Sequence, residues 1–121
     1  SGDYGASFFL TRLLGSAKAR ELMYLSEKVS AEEALRIGMV TQVSAPEDLY
    51  ADTMALANKL AAAPPITLQL MKQNMNAAVS ASLGEQLDQE ATNMVLSSLT
   101  EDHREAIKAF AEKRDPVFAG K

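Results

Sequence analysis

Cysteine is absent from the 121 residues, so neither a disulfide framework nor a thiolate metal site can be built, which fits a reducing compartment. Basic charge is also scarce. Twelve Lys and Arg stand against 16 Asp and Glu, a formal charge of -4, and no basic stripe exists to displace counterions from phosphates. A nucleic-acid partner is therefore not expected. No apolar run approaches the roughly 20 residues that span a bilayer, and no charged start leads into a small-residue cleavage site. Cytoplasm or an organelle matrix remains, with the cytoplasm expected and no membrane partner. What is present is a 47% hydrophobic share, enough for the core of one domain of ordinary size.

The opening stretch, 1–10 (SGDYGASFFL), places two glycines around an Asp-Tyr pair and runs at once into an apolar segment. The pattern is that of a turn opening a helix, with Asp3 placed to accept the free amide hydrogens of the helix start. The chain has no Met at its start and opens in mid-motif, so it is expected to start where something else was cut.

Helical periodicity dominates the chain beyond this turn. Phe8, Phe9 and Leu13 give one inward face over 4–14, Gly15 a stop, and Ala19, Leu22, Met23 and Leu25 the inward face of a second helix over 17–25. Ser30 and Glu33 spell a capping box for a short helix over 31–37. The segment 39–43 (MVTQV) alternates apolar and polar residues with β-branched ones, a strand signature without a second convincing strand to pair with.

From Ser44 onward the pattern is helical. Pro46 with Glu47 and Asp48 opens a helix whose face is Leu49, Leu56 and Leu60, and Pro65 opens another lined by Leu68, Met71, Met75 and Val79. A second S-x-x-E box, Ser82 and Glu85, starts a helix with Leu83, Leu87, Ala91, Met94 and Val95 as the expected buried stripe. Thr100 caps the last helix, 101–113, with Ala106, Ile107 and Phe110 expected inward, before Asp115-Pro116 stops it. His103, the single histidine, sits beside Glu101 and Asp102 in a charged first turn; it reads as a solvated residue, and no metal is expected there. The six methionines fall on the helical stripes as core filling. No Ser-His-Asp set or phosphate-cradling glycine loop can be assembled.

Taken together and in order, GDYGASFFLTRLLG, SAKARELMYLSEKVSAEEALRIGMV and FAEKRDPVFAGK resemble the C-terminal part of the enoyl-CoA hydratase/isomerase (crotonase) family. The resemblance covers the whole chain and about half of a full family member. It implies a mainly α fold class, the C-terminal helical portion of the crotonase fold, with one short unpaired strand near 39–43. Residues 1–43 would form the edge of a missing spiral core and 44–121 the oligomerisation helices.

The implied activity is that of an acyl-CoA hydratase or isomerase, in which two backbone amides stabilise a thioester enolate. Both amides, and the paired glutamates of the hydratases, would precede Ser1, so the fragment alone is expected to be inactive. By the same resemblance Asp3 matches the turn where double-bond-shifting members carry a catalytic Asp. Phe118 and Lys121 match the tail that helps enclose coenzyme A. No cofactor is implied, because acyl-CoA is the substrate. The implied partners are an acyl-CoA thioester and further copies of the chain, as a trimer or dimer of trimers in the parent. A free-standing helical oligomerisation module and a regulatory CoA-binding module remain alternatives.

Overall fold

The computed structural model describes residues 2–121; Ser1, the first residue of the opening turn, lies outside the described residues. Among the described residues six helices follow one another: α1 Ala6–Leu25, α2 Ala31–Arg36, α3 Leu49–Ala61, α4 Pro65–Ala77, α5 Leu83–Ser98 and α6 Glu101–Glu112. The chain divides into two units, 1–53 and 54–121, with α3 running through the division.

In the first unit, α1 is two helical segments joined at Gly15, whose φ of 79° and ψ of 159° interrupt the helix. That backbone conformation carries a steric penalty for any residue with a Cβ, which is why glycine stands at the break anticipated from the sequence. The face of the second segment is as expected at Ala19, Leu22 and Met23, the latter two half-buried, but that of the first segment differs. Ala6, Leu10 and Leu14 are half-buried, whereas Phe8, Phe9, Leu13 and Leu25 are exposed; Ala19, at 2% exposure, is the buried residue of α1. Phe8 instead packs edge-on against Phe9 and lies under the Arg12 guanidinium, 3.5 Å from the ring centre.

The capping box expected at α2 forms by half. The Glu33 amide donates to Ser30 Oγ at 3.1 Å, but the Glu33 carboxylate takes both guanidinium contacts of Arg36 at 2.6 Å instead of reaching back to the cap. A paired, bidentate ion contact outcompetes a single backbone bond for that carboxylate. The strand expected at 39–43 does not form. The amides of Met39 and Val40 donate to the Ala34 carbonyl at 2.8 and 3.3 Å, folding the segment onto the end of α2, and no strand is present among the described residues to offer it a ladder.

In the second unit, α4 starts at Pro65, where a missing amide hydrogen costs nothing. The α5 start carries the complete capping box: the Ser82 amide donates to Glu85 Oε2 at 2.8 Å and the Glu85 amide donates to Ser82 Oγ at 3.4 Å. Helices α4 and α5 then pack through polar residues. Asn93, 4% exposed, donates from Nδ2 to Asn74 Oδ1 at 2.6 Å and to the Leu70 carbonyl at 3.4 Å. Gln86 Nε2 donates to the Asn74 carbonyl at 3.3 Å, and the Thr67 and Ser97 hydroxyls share a hydrogen bond at 2.8 Å.

Most residues of the expected apolar stripes are exposed, although Leu68 of α4 is half-buried. Leu83, Leu87, Ala91, Met94 and Val95 of α5 are exposed, as are Met71 and Met75 of α4, Val79 beyond its end, and Leu49, Leu56 and Leu60 of α3. The same holds in α6, where Ile107 and Phe110 point outward, Phe110 at 87% exposure, while Asp102 and Ala109 are buried and Ala106 half-buried. Periodicity identified the apolar faces correctly but not what each face meets.

Beyond α6 the chain reverses at Lys113, whose φ of 54° closes the helix, and the tail returns along it. Arg114 pairs with Glu105, Nη2 to Oε2 at 2.9 Å, and with Glu112, Nε to Oε2 at 2.7 Å. The Val117 amide donates to Glu105 Oε1 at 3.0 Å. These donors, the Arg114 hydrogen bond foremost, pull the Glu105 carboxyl from 4.5 down to about 2.

Asn93→Ala leaves the Asn74 side-chain oxygen without its donor and is expected to destabilise the chain by about 1–3 kcal/mol. Adding Asn74→Ala should cost less than the two single losses combined; strict additivity in urea unfolding would contradict the shared bond. For the tail, a lowered folded-state value means that the Glu105 contribution is present above the ordinary 4.5 and is lost as pH falls toward about 2. The protection factor of the Val117 amide, measured by hydrogen exchange and corrected for intrinsic rate, should fall through that window. In Glu105→Gln it should be low already and nearly flat; an unchanged profile would contradict the contact.

Candidate functional site

Asp3 lies in the first unit, in the turn that feeds α1. The N-cap of α1 is Gly5, with φ 78° and no side-chain capping bond, so the helix begins later than the Asp3 carboxylate could reach to cap it. Asp3 contributes through its main chain: its carbonyl accepts the Ala6 amide at 2.9 Å. The side chain is exposed, next to Tyr4, which adopts a φ of 51°. Helix capping through the Asp3 side chain, anticipated from the sequence, is thus replaced by a main-chain turn that leaves Asp3 exposed.

Phe118 and Lys121 lie in the second unit, on the tail that runs back along α6. Phe118 is half-buried and Lys121 exposed. The course of this tail is set by Asp102, which the sequence places in a charged first turn beside His103. His103 is exposed, as expected, but Asp102 is 3% exposed. Its Oδ1 accepts the Ala119 amide at 2.7 Å and its Oδ2 the Gly120 amide at 3.0 Å. In return the amides of Glu101 and Asp102, unpaired at a helix start, donate to the main-chain oxygen of Lys121 at 2.6 and 3.2 Å. A buried carboxylate is tolerated here because its oxygens are occupied by donors and the first turn of a helix favours negative charge.

Gly120 completes the fit. Its φ is 73°, and a Cβ placed there would stand 2.9 Å from Pro65 Cγ, so both the turn and the close approach to the start of α4 require glycine. The sequence signal that could have exposed this arrangement is the pair Asp102 and Glu105, one helical turn apart, followed by a chain reversal and a short tail rich in free amides.

A cleft of about 280 Å³ also lies over the α4–α5 seam, lined by Leu70, Met71, Glu90, Met94 and His103 around the polar pairs. Asn74 and Asn93 also line it, and the bond between their side chains commits those polar atoms to holding the helices together. No helix is long and apolar enough to cross a membrane among the described residues.

The family profile described as enoyl-CoA hydratase/isomerase matches residues 2–121. The 1,2-epoxyphenylacetyl-CoA isomerase of Escherichia coli is 40% identical over 119 residues, covering 98% of this chain and 45% of the relative. The short-chain-enoyl-CoA hydratase of Clostridium acetobutylicum is 33% identical over 111 residues, 92% of this chain and 42% of the relative. Among solved structures, an enoyl-CoA hydratase from Bacillus anthracis superposes with a TM-score of 0.93 at 32% identity, over 97% of this chain and 45% of that one. The chain thus spans slightly less than half the length of the relatives it matches, and its helical architecture is that of the corresponding portion of those structures. With the match running from the Asp3 turn through the clamped tail, the chain belongs to the enoyl-CoA hydratase/isomerase family.

Proposed function

We propose that this chain is the C-terminal helical part of an acyl-CoA hydratase or isomerase that works through an oxyanion-stabilised thioester enolate. The observation that carries the reading is the family match over residues 2–121, joined to relatives whose names specify CoA thioesters. In this reading the two amides that bind the thioester oxygen belong to sequence outside this chain. The chain by itself is inactive.

The chain's own contributions are three. Asp3, exposed on its turn, accepts a proton from a carbon of the acyl chain as the enolate forms and returns it to another, which shifts the double bond without net gain or loss. Phe118 and Lys121 help enclose the nucleotide end of coenzyme A, the ring by stacking and the ammonium by pairing with phosphate. The outward apolar faces of α3 to α6 meet other copies of the chain and the rest of the protein, in a trimer or dimer of trimers, with 1–43 at the edge of the catalytic core. No cofactor beyond the acyl-CoA substrate takes part, and the protein works in the cytoplasm.

The exposed faces also favour a second reading, a helical oligomerisation module with no catalytic parent. The gene separates them: an in-frame upstream segment of alternating strands supports the enzyme, and a start codon directly before Ser1 supports the module. For the enzyme, Asp3→Asn in the complete protein is expected to lower kcat for isomerisation of an enoyl-CoA by about 10²–10⁴ with the melting temperature unchanged. Undiminished turnover in that variant would leave Asp3 as a turn residue only.

A further inference from the structure

From the clamp on the tail we infer that Asp102 is a positioning residue for coenzyme A, acting through Phe118 and touching no ligand itself. The inference rests on the proposed role of the tail in holding that ligand.

Phe118 is bracketed by anchored amides. On one side the Val117 amide is held by Glu105 at 3.0 Å; on the other the Ala119 and Gly120 amides are held by Asp102 at 2.7 and 3.0 Å. The next residue is fixed as well, through the Lys121 oxygen on the first amides of α6. Neither carboxylate contacts the Phe118 side chain by hydrogen bonding, yet between them they fix the backbone on both sides of it. The direction in which the ring and the Lys121 side chain leave the tail is thereby set before any ligand arrives.

Asp102 dominates this arrangement for a physical reason. It is buried and spends both carboxylate oxygens on tail amides, whereas Glu105 divides its oxygens between one amide and Arg114. A short tail carrying a ligand-facing ring would otherwise sample many conformations, and each would have to be given up on binding. Holding the tail in advance removes that cost from the binding step and leaves the chemistry at the acyl end unaffected. The expected signature is therefore in substrate affinity and not in turnover.

The test uses the complete protein with crotonyl-CoA as probe and hydrogen exchange on the tail. Asp102→Ala should expose the Ala119 and Gly120 amides to exchange and raise KM about tenfold, with kcat within about twofold. Asp102→Asn keeps one oxygen acceptor and should lie between Asp102→Ala and the parent in both readouts, which keeps the test open if the alanine variant fails to fold. Phe118→Ala should raise KM similarly, and combining it with Asp102→Ala should add little, since both act through one ring. If Phe118→Ala raises KM while the Asp102 variants do not, or if the two amides stay protected in those variants, the positioning role is overturned. If neither Phe118→Ala nor Lys121→Ala changes KM, the tail does not hold coenzyme A and the reading beneath the inference fails instead.

Discussion

The second unit depends on one buried polar contact. Asn93 is 4% exposed and donates to Asn74 at 2.6 Å, and around this bond α4 and α5 align Gln86 with the Asn74 carbonyl and Thr67 with Ser97. A buried amide that loses its partner costs far more than a made bond contributes, so the pair sets the register of the two helices along their length. Ile66, Leu68 and Leu70 of α4 are half-buried, but most apolar residues of α5 are exposed. The exposed Leu83, Leu87, Met94 and Val95 are the direct consequence of a polar seam, not of a helix that has failed to fold.

The tail follows the same logic with charge added. Asp102 is buried because three main-chain amide contacts reach it, and those amides belong to residues that leave the helix, reverse and return. Arg114 and Glu105 hold the reversal, and Gly120 lets the tail pass against Pro65. Local helix ends, polar side chains and a short return segment thus form one connected arrangement. It carries Phe118 and Lys121, the two tail residues that the family resemblance singles out.

Local chemistry is legible in the sequence where one residue type has one dominant physical reason. The break at Gly15, the start at Pro65, the box of Ser82 and Glu85 and the cap at Thr100 are all present. The family is legible as well, because ordered motifs from Gly2 to the tail are together more specific than any one of them. The orientation of faces is not. An apolar stripe says that a surface seeks cover, and Phe110, Leu87 or Met75 show the stripe without naming the neighbour. Nor is the fate of 39–43, since an alternating pattern describes a strand only when a ladder is available. Asp102 escapes a reading by residue type because its partners are backbone amides, so that only its spacing to Glu105 hints at the arrangement.

Helices α4 and α5 meet through the polar side chains Thr67, Asn74, Asn93 and Ser97, and the arrangement of the second unit proceeds from that meeting. The chain has no cysteine, so a single engineered pair reports on it without interference. Thr67→Cys with Ser97→Cys replaces two hydroxyls that lie 2.8 Å apart. Mild oxidation of the folded double variant is predicted to give an intramolecular disulfide in high yield, seen as a faster-migrating monomer that reverts on reduction. A folded variant that keeps both thiols free under the same oxidation would contradict the polar seam.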